Sequence, residues 1–197
     1  MNDTPENFPE SQVPENTYKH LAKQLVSALI SRGIKVIALD FDKTLITLHT
    51  GGAWRQGHAR LAEFVRPCFR WLLPAALDGG LHVCIVTYSM QLTLIYEVLK
   101  AALPKCDYNK IIIRGNSKDW AQVQGATLLG KQQHIASVIT EISNKRHAIV
   151  HPNELLLLDD DIDNIEVAKR FGHKTFEVGR DVSLETLLDV FKSNVQL

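Results

Sequence analysis

The 197-residue chain lacks any excess of charge: Lys and Arg total 22, and so do Asp and Glu. That balance supplies no overall attraction for nucleic acid or for an anionic membrane surface, although a local basic patch stays open. Cysteine is scarce, and Cys68, Cys84 and Cys106 are odd in number with no metal-ligand spacing. Reduced thiols are therefore expected rather than a disulfide framework or a thiolate metal site. His82, His134, His147 and His151 also lack ligand spacing, which argues against zinc. The opening residues, MNDTPENFPESQVPEN, are acidic and Pro-rich with no apolar stretch, so they do not read as a signal peptide. The apolar runs are too short or too interrupted to cross a bilayer. Repeats and low-complexity segments are absent. These absences lead to the expectation of a soluble, cytoplasmic protein with one domain, long enough to bury a sizeable core.

What is present centres on Val36-Ile37-Ala38-Leu39-Asp40-Phe41-Asp42-Lys43-Thr44-Leu45. A run of apolar, partly β-branched residues reads as a buried central strand. It ends in two carboxylates and, two residues on, a hydroxyl. If the chain stays extended through Asp42, both acids point the same way, because side chains alternate along a strand. Two adjacent carboxylates repel and call for a counter-charge, most simply a divalent cation.

Around this stretch, helix and strand signals alternate. Residues 1–16 are expected to form a disordered or loosely packed arm, and residues 17–197 one domain. A helix is predicted from Thr17 to the Gly33 stop, followed by a strand over Lys35–Asp40. Residues 45–59 read as a loop, a small flap or a short hairpin. A helix from about Arg60 to Gly79 carries Pro67 and Pro74, which predict a kink or a break. Further strands are predicted over Leu81–Thr87, Lys110–Arg114, Glu154–Leu158 and Lys174–Val178. Helices are predicted over Gln91–Leu103, from Lys131 through KQQHIASVITEI, over Asn164–Phe171 and over Leu184–Phe191. The stretch GNSKDWAQVQGATLLG reads as a loop. Such alternation predicts an α/β protein: a Rossmann-like, three-layer α/β/α fold with a five-stranded, mainly parallel sheet.

Four polar clusters lie where strands or their neighbouring helices give out: Asp40/Asp42/Thr44, then Thr87, then Lys131, then Asp159/Asp160/Asp161 with Asn164. In an open parallel sheet such ends converge on one crevice. The set suits phosphoryl transfer. One carboxylate attacks phosphorus, and a second handles the proton of the leaving oxygen. Mg²⁺ on oxygen ligands lets an anionic nucleophile approach an anionic phosphate, and a hydroxyl and an ammonium bind the remaining oxygens.

The residues also carry a family resemblance. LDFDKTL, CIVTYS, GKQQHI and LLLLDDDIDN, over about residues 36–172, resemble in order and spacing the four motifs of the haloacid dehalogenase (HAD) superfamily of phosphatases. The last two stretches are most similar to the small magnesium-dependent phosphatases. The resemblance implies that Asp40 is nucleophile and metal ligand, and that Asp42 is general acid/base and gives the metal its backbone carbonyl. It implies that Thr87 and Lys131 bind phosphate and that Asp160 reaches the metal with Asp159 beside it. Thr44, Asp159, Asp161 and Asn164 are candidates for supporting those groups. An acid at Asp42 favours a phosphatase over a dehalogenase. Neither gap between motifs has room for a separate cap domain. An open site is therefore expected, suited to a phosphoprotein or another bulky phosphorylated substrate.

Blander readings stand beside these. The acids are also residues that cap helices or sit in solvated turns, Asp161 and Asp163 above all. Lys118 rivals Lys131 for the phosphate role, and Thr87 could be a plain strand-end hydroxyl. His49, Trp54 and His58 in the loop could touch substrate or simply face solvent. Nothing compels a substrate role for Arg66, Arg114 or Trp120. Alternative functions are hydrolysis of a sugar, metabolite or nucleic-acid-end phosphate, or a non-catalytic binding role for the same fold. The intact Asp40/Asp42 pair argues against the last.

Overall fold

The computed structural model describes residues 15–116 and 129–193. Its centre is a sheet of β1 (Val36–Leu39), β2 (His82–Val86), β3 (Ile112–Arg114), β4 (Leu155–Asp159) and β5 (Lys174–Glu177). The spatial order is β3-β2-β1-β4-β5, and every pairing is parallel. The expected five-stranded, Rossmann-like α/β architecture is what the chain adopts. Strand order runs outward from β1 to β3 on one side and from β4 to β5 on the other. The boundary between β1 and β4 is thus the switch point where such sheets open a crevice.

Alternation along the strands divides the core into two layers. Ile37, Leu39, Val83, Ile85, Leu156 and Leu158 face one side. There they meet α1 (Glu15–Ser31), α2 (His58–Ala62), α3 (Pro67–Asp78), α4 (Leu92–Ala102) and α7 (Leu184–Lys192). Val36, Ala38, Cys84, Val86, Leu155 and Leu157 face the other, against α5 (Gln132–Arg146) and α6 (Ile162–Arg170). All four residues of β1 are covered on both faces, which is why they read as an unbroken apolar run. No helix among the described residues is long and apolar enough to cross a membrane.

Several boundaries differ from those expected. Helix α1 begins at Glu15, so the last two residues assigned to the arm are helical. The helical stretch breaks at Pro67, where a proline in the first turn leaves no backbone bond unmade. Pro74, in contrast, lies inside α3 without ending it. Phe69, Leu72, Leu73 and Ala76 are buried on both sides of Pro74, and their burial at ~1.5–3 kcal/mol per large side chain outweighs one lost bond. No hairpin forms over residues 45–50. Ile46 instead bridges Val65 in antiparallel fashion, far along the chain. Residues 117–128, which carry Lys118 and Trp120, and the arm residues 1–14 lie outside the described residues.

Strand register sets the positions of the chain ends. Leu39 is opposite Ile85 of β2 and Leu158 of β4, so Asp40, Thr87 and Asp159 leave the same edge of the sheet. After β3 the chain passes close to the β2 loop at Gly115. A Cβ on Gly115 would stand 2.5 Å from the Ser89 carbonyl oxygen and 2.6 Å from a Leu92 methyl. Gly115→Ala is therefore expected to destabilise the fold by ~1–3 kcal/mol through overpacking. For a chain of this size that lowers Tm by roughly 2–4 °C per kcal/mol, measurable by thermal melting. An unchanged Tm would mean that the loop after β2 shifts at no cost.

Candidate active site

Beyond β1 the backbone does not stay extended. Leu45 N–H bonds Asp40 O (3.3 Å) and Ile46 N–H bonds Phe41 O (3.1 Å), winding residues 41–45 into one wide turn. Asp42 is extended within it, whereas Lys43 has a left-handed φ of 55°. Phe41 is buried in the core. The two acids consequently have different neighbours. The Asp40 carboxylate accepts a hydrogen bond from Lys131 Nζ. The Asp42 carboxylate is met by Thr50 Oγ1, 2.9 Å from each oxygen, and by His49 Nδ1, 2.8 Å from Oδ2. Both acids border one cleft of about 460 Å³, together with Thr87, Tyr88, Lys131, Asp159, Asp160 and Asn164.

Lys131 precedes α5 and is only 2% exposed. Besides Asp40, its ammonium donates to Val86 O at 3.1 Å and lies 4.4 Å from the centre of the Tyr88 ring. A buried ammonium needs such partners, because stripping its hydration shell costs several kcal/mol. Gly130, with φ of 57°, delivers the lysine: a Cβ there would press on Asn164 Oδ1 and Val167, 3.3 Å away. Thr87, 3% exposed, holds its hydroxyl at the end of β2, where it accepts from Ser89 N–H at 3.2 Å.

The acids after β4 are also separated by role. Asp159 accepts from Asp161 N–H (2.9 Å) and from Asn164 Nδ2 (3.2 Å to both oxygens). Asp160 accepts from Thr44 Oγ1 at 3.1 Å. Asp161 caps α6 by accepting from Asp163 N–H at 2.9 Å. One carboxylate oxygen each of Asp40, Asp159 and Asp160 lies within 4.8 Å of the others. Asp40 therefore has Asp159 and Asp160 as acid neighbours across the strand ends. Burial pushes the Asp40 carboxyl up, to about 7; Lys131 pulls it down and Asp159 raises it further. Burial also raises Asp159, against the pull of Lys131 and the bonds from Asp161 and Asn164. Lys131 alone does not offset the negative charge of this corner. Three clustered carboxylate oxygens, hard donors with charge to spare, fit a divalent cation of the Mg²⁺ type.

The family resemblance implies Asp40 on a metal, Asp160 reaching it directly or through water, and Asp42 by its backbone carbonyl. The cluster of side-chain oxygens is Asp40, Asp159 and Asp160, with the Asp42 carboxylate turned to the loop. Several residues that shape the site carried no usable signal. The buried Arg66 guanidinium donates to Thr44 O (2.9 Å), Lys43 O (2.8 Å) and Arg180 O (2.6 Å), bracing the turn after β1. Gln91 clamps Trp54 through both its backbone N–H (2.8 Å) and its C=O (3.0 Å). Thr50 is an ordinary loop threonine until the fold brings it to Asp42. Arg114 pairs with Glu141, away from the cleft.

His134, on α5, sits behind the site, fully buried, with Nε2 3.1 Å from Asn116 Oδ1 and its ring edge-on to Tyr88. Burial, with smaller contributions from Lys131 and Arg114, lowers its pKa from 6.5 to about 4. Between those values the unfolded chain binds a proton that the folded chain refuses. The contribution is thus complete above pH 6.5 and is lost as pH falls toward 4. Urea unfolding at several pH values should show wild type losing more stability across this window than His134→Gln, in which the carboxylates are common to both. Equal losses would mean that His134 takes up its proton in the folded state.

The fold has known counterparts. The HAD domain of the effector protein Lem4 from Legionella pneumophila superposes with a TM-score of 0.50 at 15% identity, over 81% of this chain and 92% of that one. A haloacid dehalogenase-like hydrolase from Streptococcus pneumoniae superposes more loosely, with a TM-score of 0.40 at 12% identity over 82% and 92%. No protein-family model matches the sequence, and no curated protein matches it. At this identity the Lem4 likeness speaks to architecture: the chain has the fold of a HAD domain.

Proposed function

We propose that the protein is a Mg²⁺-dependent phosphomonoester hydrolase that works through an aspartyl-phosphate on Asp40. One observation carries this reading. Asp40, Asp42, Thr87, Lys131 and Asp160, from four motifs spread over 121 residues of chain, border the same cleft. Three oxygen donors for a cation lie in its wall. Among the described residues no cap domain covers it, which favours a phosphoprotein or another bulky phosphorylated substrate.

In this reading, Asp40 Oδ attacks phosphorus while the bond to the leaving oxygen breaks. Asp42 gives its proton to that oxygen. Water then attacks the acyl-phosphate, Asp42 takes a proton from it, and Asp40 is regenerated with release of phosphate. Thr87 and Lys131 donate to the phosphate oxygens where charge accumulates. Lys131 is already held at Asp40, so it needs no reorganisation to do so. Mg²⁺ on Asp40, Asp159 and Asp160, with the Asp42 backbone carbonyl, would offset the charge of phosphate and nucleophile together.

Asp40→Asn should lower hydrolysis of p-nitrophenyl phosphate to background while circular dichroism and a cooperative melt report a native fold, at a lowered Tm because Lys131 loses its buried counter-charge. EDTA should abolish wild-type hydrolysis, and added Mg²⁺ should restore it. Turnover that survives either treatment would rule the mechanism out.

A further inference from the structure

We propose that Thr50 is a positioning residue for proton transfer, holding the Asp42 carboxylate so that it serves phosphomonoesters with basic, alkoxide leaving groups. The inference rests on Asp42 being the general acid/base of the reading above.

The core does not hold Asp42. Asp40 is fixed by the sheet edge and by Lys131, whereas the Asp42 side chain finds its hydrogen-bond partners in the loop after β1, at Thr50 and His49. Thr50 Oγ1 is equidistant, at 2.9 Å, from both carboxylate oxygens, a forked contact that sets the direction of the group, while His49 Nδ1 at Oδ2 adds a second point of hold. Gly52 N–H donates to Thr50 Oγ1 at 3.2 Å. With a lone pair so occupied, the hydroxyl proton is directed at Asp42.

The loop is built to hold that hydroxyl still. Its near end is closed by Lys43 N–H to Leu48 O at 2.9 Å, with the Lys43 carbonyl gripped by Arg66. Its tip turns on Gly51 and Gly52, with φ of 63° and 70°, a conformation that favours glycine. Its far end is tied by the Gln91 clamp on Trp54 and by Trp54 Nε1 to Gly57 O at 2.8 Å. His49, Gly51 and Gly52 line the cleft, so the loop is part of its wall.

The chemistry explains why orientation of Asp42 would matter. When Asp40 attacks and the P–O bond breaks, a p-nitrophenolate departs as a stable anion. An alkoxide does not, and the Asp42 proton must reach its oxygen as the bond breaks. General acid catalysis contributes ~10²–10⁴-fold, and misaiming the acid forfeits part of that only where the leaving oxygen needs it.

The test compares kcat/KM, which covers steps through departure of the leaving group, for p-nitrophenyl phosphate and glycerol 2-phosphate. Thr50→Val, Thr50→Ser and Asp42→Asn are measured in the full chain with Mg²⁺. Thr50→Val should reduce kcat/KM about tenfold more for the alkyl ester than for the aryl ester. Thr50→Ser should recover most of that difference, and Asp42→Asn should show the same selectivity more strongly. Should Thr50→Val fold poorly, Thr50→Ala gives the same readout. Equal losses on both esters, or no loss, with Asp42→Asn still selective, would overturn the role of Thr50 alone. An Asp42→Asn variant blind to the leaving group would overturn the assignment of Asp42 and this inference with it.

Discussion

The buried contact between Lys131 and Asp40 is the constraint on which the site depends. An ammonium 2% exposed and a carboxylate 7% exposed are tolerable at the edge of an apolar sheet only because they meet each other. Removing one member of such a pair typically costs ~3–5 kcal/mol. The contact joins the end of β1 to the start of α5, and the Val86 carbonyl brings β2 into the same junction. It also leaves the corner short of positive charge, because Asp159 faces Asp40 from β4. A fold that needed only stability would place one acid opposite one lysine. The surplus carboxylates are the groups on which the proposed cation-assisted phosphoryl transfer would draw.

Two acids two residues apart have been given opposite settings. Asp40 belongs to the rigid part of the molecule, where backbone pairing with Leu158 and the strand register fix it. Asp42 belongs to a loop that is anchored to the core at Arg66 and Gln91 but carries its own polar partners. In the proposed mechanism the nucleophile, Asp40, needs a fixed distance to phosphorus, which the sheet would provide. The proposed proton carrier, Asp42, would serve the leaving oxygen and then water, which a braced but separate loop allows.

Much of this was legible in the sequence because it rests on local pattern. The apolar runs VIAL, VCIV and LLLL are strands buried on both faces, so their ends can be read from where polarity returns. Since parallel strands align at those ends, the meeting of Asp40, Thr87 and the acids after β4 followed from the alternation of elements. Glycine and proline marked most helix ends. Pro74 misled, because burial of the side chains around it is a tertiary term that local propensity does not contain. The extended path expected through Asp42 failed for a related reason. Bonds from Leu45 and Ile46 back to Asp40 and Phe41 wind the chain at once, and Arg66 stabilises the turn from 23 residues away.

The sequence by itself thus determined the layer architecture, the strand ends and the kinds of group gathered there, since periodicity and polarity are properties of short stretches. Only the tertiary structure decided which oxygens cluster, that Asp159 crowds Asp40, and that Thr50, Arg66 and Gln91 hold the turn and loop. Those contacts join a side chain to a backbone group or a carboxylate 8 to 114 residues away. Hydrogen bonds of that kind need one atom in one place, and they leave no period in the chain from which to read them.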